Sequence, residues 1–82
     1  MMKKVLYSSP FMTNVLIPEA ALSTYKRRDQ ALLALKELGG IQAPLTKEVK
    51  KLRQTMLNAR RKIEREGWFS VKAEAWFLNI LQ

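Results

Sequence analysis

The chain of 82 residues contains no cysteine and no histidine. Without cysteine there is neither a disulfide framework nor a thiolate metal site. Without histidine the commonest general base and the commonest zinc ligand are missing. Aspartate occurs once, as Asp29, and the three glycines, Gly39, Gly40 and Gly67, make no phosphate-cradling loop. Glu64 and Glu66 stand two apart and so point away from each other on a helix, which does not suit a shared acid–base role. An enzyme is not expected, nor a metal or other cofactor. No apolar run approaches the ~18 residues of a membrane span. Ser8, Ser9, Pro10, Thr13 and Asn14 interrupt what would be the apolar core of a signal peptide. The expectations are no membrane partner and a cytoplasmic location.

Acids are also scarce: seven Asp and Glu against 15 Lys and Arg, for a net charge of +8. That imbalance points to an anionic partner, nucleic acid before an acidic membrane or protein. A hydrophobic fraction of 48% is that of a folded protein. At this length one small domain is expected, burying roughly 60–65% of its unfolded surface.

Residues 46–66, TKEVKKLRQTMLNARRKIERE, organise the rest. They carry eight of the basic residues, Lys47, Lys50, Lys51, Arg53, Arg60, Arg61, Lys62 and Arg65, against Glu48, Glu64 and Glu66. No Pro or Gly interrupts them, and most are good helix formers. Leu45, Val49, Leu52, Met56, Ala59 and Ile63 recur at a 4-3-4-3-4 spacing and form one narrow stripe. Lys47, Lys50, Lys51, Arg61, Lys62 and Arg65 fall opposite, with Gln54 and Asn58 among them. One face is built to be buried and the other to meet negative charge.

Elsewhere the pattern is coarser. Val5-Leu6-Tyr7 and Val15-Leu16-Ile17 flank a Ser-Ser-Pro turn signal, so residues 1–17 read as two short strands or as an extended arm. Pro18 fits the first turn of a helix, and residues 18–38 are expected as one helix or two before Gly39-Gly40 stops them. Asp29 can cap the second, with Ala31, Leu32, Leu35 and Leu38 as its buried stripe. Lys26, Arg27 and Arg28 read either as a solvated helix end or as phosphate contacts. Thr46 is a credible N-cap for the central stretch, and Gly67 ends it. Beyond Gly67, Trp68-Phe69-Ser70-Val71 and residues 75–81 read as two short strands, with a terminal helix over residues 70–81 as the rival. Trp68, Phe69, Trp76 and Phe77 are expected in the core rather than as base-stacking platforms.

The succession ALLALKELGG (residues 31–40), PLTKEVKKL (44–52), ARRKIEREGWF (59–69) and AWFL (75–78) resembles the winged helix-turn-helix family over residues 29–81. The Ile63-Glu64-Arg65-Glu66-Gly67-Trp68 phrase is similar to the end of that family's recognition helix. The resemblance implies a mainly α fold with a small β-hairpin, two to three helices followed by a short C-terminal wing. It implies that Gln54, Asn58, Arg61, Lys62 and Arg65 lie at or near the major groove, with Lys72 on the wing. Residues 46–66 are then either two helices meeting at Arg53-Gln54 or one helix of about six turns. The unbroken stripe favours one, and the Gly67-Trp68 ending favours the winged arrangement.

Duplex recognition needs cations for phosphates and forked or amide side chains for base edges. Gln54, Asn58 and Arg61, flanked by Lys47, Lys50, Lys51, Arg53, Lys62 and Arg65, supply both. The expected function is therefore a small DNA-binding regulator of the kind carried by bacteria or their mobile elements. It is expected to act as a dimer, with Val49, Leu52, Met56 and Ile63 as a possible seam. A module docking its basic helix on an acidic protein and an RNA-binding protein are the competing functions.

Overall fold

The computed structural model describes residues 3–68. The strands expected after Gly67, their rival helix, and the placements of Phe69, Lys72, Trp76 and Phe77 lie outside the described residues.

The chain opens with an antiparallel hairpin of β1 (Lys4–Ser9) and β2 (Met12–Pro18). The two-strand alternative for the N-terminal residues is the observed one. Pairing runs from Lys4 opposite Pro18 through Leu6 opposite Leu16 to Tyr7 opposite Val15, and shifts before Ser9 meets Met12. The shift has a purpose. With strict alternation Met12 would face away from Val15 and Ile17; one extra residue in β2 brings all three to the buried side. Asn14 absorbs the irregularity at φ 51°, in the left-handed region that Asn tolerates better than most residues. The Ser8 hydroxyl donates to Asn14 Oδ1 at 3.2 Å and accepts from the Asn14 N–H at 3.0 Å.

Pro18 ends β2 and introduces a 3-10 turn at Glu19–Ala21, rather than opening an α-helix. Then follow α1 (Leu22–Glu37), a second 3-10 turn at Gly40–Gln42, and α2 (Lys47–Glu66). The described residues thus hold two α-helices. Residues 22–37 form one helix, because Asp29 sits in its middle and caps nothing, and residues 47–66 form one helix with no break at Arg53-Gln54. Gly39, at φ 116°, turns the chain out of α1.

The ends of α2 are defined by local chemistry. Thr46 Oγ1 accepts the Val49 N–H at 3.2 Å, as a threonine N-cap does. At the other end Gly67 is left-handed at φ 72°. Its N–H bonds to the Glu64 carbonyl and that of Trp68 to the Ile63 carbonyl. This is a Schellman closure, completed by apolar packing of Trp68 with Ile63 in one buried cluster.

Two clusters make the core. The first joins the hairpin's inner face, Tyr7, Met12, Val15 and Ile17, to Ala21 and Tyr25 and to Ile63 and Trp68. The second joins Ala31, Leu32 and Leu35 to Ala43, Val49 and Met56. Early α1 meets late α2 and late α1 meets early α2, so the helices pack antiparallel with the hairpin covering one end. The stripe of α2 is therefore spent inside the molecule. Val49, Met56 and Ile63 are 1%, 6% and 0% exposed, and Leu52 is half-buried. Val49, Met56 and Ile63 are thus not available as a dimer seam. Leu38 and Leu45, expected on buried stripes, are exposed, because Leu38 follows α1 and Leu45 precedes the α2 cap. No helix among the described residues is long and apolar enough to cross a membrane.

Candidate nucleic-acid interface

The exposed half of α2 is ordered by helical arithmetic. With α1 and the hairpin against its buried stripe, Lys47, Lys50, Lys51, Gln54, Asn58, Arg61, Lys62 and Arg65 are all exposed. At 100° per residue Lys47, Gln54, Asn58 and Arg65 follow one line, within about 40° of each other. Lys50 and Arg61 lie on one flank of that line, and Lys51 and Lys62 on the other. Each flanking pair is separated by three turns, or about 16 Å of axis. The ridge therefore carries amides at its centre, cations on both flanks and a cation at each end.

The local bonds leave most of this charge outward. Gln54 Nε2 donates to Asn58 Oδ1 at 2.8 Å, one turn along the ridge. Gln54 Oε1 stays an acceptor and Asn58 Nδ2 a donor for a partner. Glu64 pairs with Arg60 at 3.2 Å and Glu66 with Arg65 at 3.8 Å, both in exposed positions where such pairs are weak. Among the described residues no carboxylate pairs with Lys47, Lys50, Lys51, Arg61 or Lys62. Lys62 Nζ lies 5.9 Å from the Trp68 ring centroid, an attraction that leaves its charge intact.

Two arginines stand apart from the expected set. Arg53 is on the border of the ridge, and its Nη2 donates to the Ile41 carbonyl at 3.1 Å, tying α2 to the preceding turn. Arg28, expected at a solvated end or on a phosphate, does neither. It is fully buried, donates from Nε to Asp29 Oδ1 at 3.0 Å and stacks 4.7 Å from the Tyr25 ring centroid. Its neighbours Lys26 and Arg27 are exposed.

Beside the Lys51–Lys62 flank a groove of about 500 Å³ runs between the helices. From α2 it is lined by Thr55, Asn58, Ala59, Arg61, Lys62 and Arg65, and from α1 by Thr24 and Arg27. Sequence reasoning named Arg27 only as part of a basic run and did not name Thr24. Their i,i+3 spacing puts them on one face of α1, but nothing local shows that this face meets α2. No set of three His, Cys, Asp or Glu among the described residues can hold a metal. No protein-family model, curated protein or solved structure matches the chain, so the function is read from the chemistry of this surface.

Proposed function

We propose that this chain is a small cytoplasmic DNA-binding regulator that lays the exposed ridge of α2 along the major groove of a duplex. The observation that carries the reading is the layout of that ridge, with Gln54 and Asn58 on the midline and, on both flanks, cations that no carboxylate among the described residues pairs. A major groove is about 12 Å wide and 8.5 Å deep, which admits one helix. Side chains on the helix midline then meet base edges, and those on its flanks meet the two phosphate walls. Lys50 and Arg61 reach one wall, and Lys51 and Lys62 the other. Lys47 and Arg65, about 27 Å apart along the axis, meet the backbone where the groove curves away from a straight helix.

The test is an anisotropy titration of labelled duplex against the full chain, repeated with single-stranded RNA and with an acidic protein surface such as polyglutamate. Preference for the duplex, lost in Arg61→Ala and Lys62→Ala, supports the reading. Tighter binding to the RNA or to polyglutamate would replace it with one of the competing functions.

A further inference from the structure

We infer that the groove between α1 and α2 is a phosphate-binding site in its own right, shaped for a compact doubly charged phosphate. Cations converge on it from two elements: Arg27 from α1, and Arg61, Lys62 and Arg65 from α2. Among the described residues no carboxylate lines it. Two hydroxyls, of Thr24 and Thr55, and the Asn58 amide add to its polar wall. The Thr55 hydroxyl donates to the Lys51 carbonyl at 3.0 Å and so keeps its lone pairs available. Thr24 is nearly buried at the helix interface, and its hydroxyl makes no hydrogen bond among the described residues.

The site shares Arg61, Lys62 and Arg65 with the ridge and differs from it in three features. It is concave, whereas the ridge is convex. Its volume is in the range of small-ligand clefts, which run to about 300–1,000 Å³. Its charge comes from exposed side chains on two packed helices, so that like charges meet across the groove and a shared anion would relieve them. Three arginines supply forked N–H donors, the geometry that matches a phosphate bidentately. The ligand class is a terminal phosphate or a pyrophosphate. It can come from a free phosphorylated small molecule or from a nucleic-acid backbone that dips into the groove.

The site does not depend on the duplex reading, because Arg27 lies on α1 and the probe contains no nucleic acid. The full chain is titrated with sodium pyrophosphate by calorimetry at constant ionic strength, with sodium chloride as the control. Saturable binding is expected, accompanied by a rise in melting temperature that chloride does not reproduce. Arg27→Gln and Arg65→Gln are each expected to weaken it about tenfold, with Arg27→Lys recovering part of the loss. Lys47→Gln, five turns from Arg65 on α2, is expected to leave it unchanged. All three positions are exposed, and circular dichroism checks that each variant is folded. Binding that does not saturate, that chloride matches, or that falls equally in Lys47→Gln overturns the site in favour of diffuse attraction. A competition arm adds duplex DNA to pyrophosphate-saturated protein. Displacement assigns the site to a backbone phosphate and coexistence to a free phosphorylated ligand, and both uphold it.

Discussion

The Tyr7 hydroxyl donates a 2.7 Å hydrogen bond to Asp29 Oδ2, across 22 residues of chain. The other carboxylate oxygen accepts from Arg28 Nε at 3.0 Å. Asp29 thereby neutralises a buried guanidinium and pins the hairpin to the middle of α1. Tyr7→Phe keeps the ring, which packs 6.2 Å from that of Tyr25, but leaves one carboxylate oxygen without its donor. A loss of about 1–3 kcal/mol is expected in chemical denaturation. Asp29→Ala is expected to cost more, about 3–5 kcal/mol, because it removes the charge that compensates Arg28.

The same bond gives a pH signature. Burial, then the hydrogen bond to Asp29 and its charge, push the Tyr7 hydroxyl well above its ordinary 10.0. A group raised on folding contributes stability that is complete below its unfolded value and is lost as pH rises beyond it. The stability gap between the wild type and Tyr7→Phe should therefore be constant below pH 10 and shrink above it. Melting curves from neutral to strongly alkaline pH measure this, and a gap that widens instead would contradict the assignment.

The two ends of α2 test its local logic. Thr46→Ala removes the side-chain acceptor for the Val49 N–H and is expected to cost about 1 kcal/mol. At Gly67 an added Cβ meets nothing within 4 Å among the described residues, so the effect of Gly67→Ala is read as conformational. Holding alanine at φ 72° is expected to cost about 1–2 kcal/mol. Urea unfolding reads both, and because the sites are at opposite ends of the helix the losses should add.

What was legible in the sequence was mostly what is local. Residues 47–66 announce one helix through an unbroken stripe, and Thr46 and Gly67 announce its ends. The paired apolar runs around Ser8-Ser9-Pro10 announce the hairpin. Long-range packing decided the rest. Arg28 sits in a run of three cations and reads as surface, yet it is buried against Tyr25, Met12 and Asp29. α1 mixes buried Thr24, Arg28 and Asp29 with exposed Leu33 and so offers no clean periodicity. The Gly67-Trp68 phrase, part of one of the segments behind the family resemblance, forms the cap of α2, with Trp68 folded back on Ile63. The apposition of Thr24 and Arg27 with late α2 arises only once the helices pack antiparallel.

That packing also fixes what the α2 stripe is for. Ile63 is completely buried beside Tyr25 and Ile17. Ile63→Ala is expected to destabilise the chain by about 2–5 kcal/mol, with a melting temperature independent of protein concentration. Melting that rises with concentration would return the stripe to an intermolecular role.

The central claim is that the cations of the α2 ridge grip the two walls of a duplex. The most direct measurement is the salt dependence of duplex affinity, by fluorescence anisotropy, for the wild type and three variants. If Lys47, Lys50, Lys51, Arg61, Lys62 and Arg65 all meet phosphates, log K should fall against log salt with a slope of about −5. Lys50→Ala and Arg61→Ala should each reduce that slope by about 1. Arg60→Ala, whose guanidinium turns to Glu64 off the ridge, should leave it unchanged. Undetectable binding at low salt, a flat salt response, or an Arg60→Ala loss equal to that of Arg61→Ala would contradict the account.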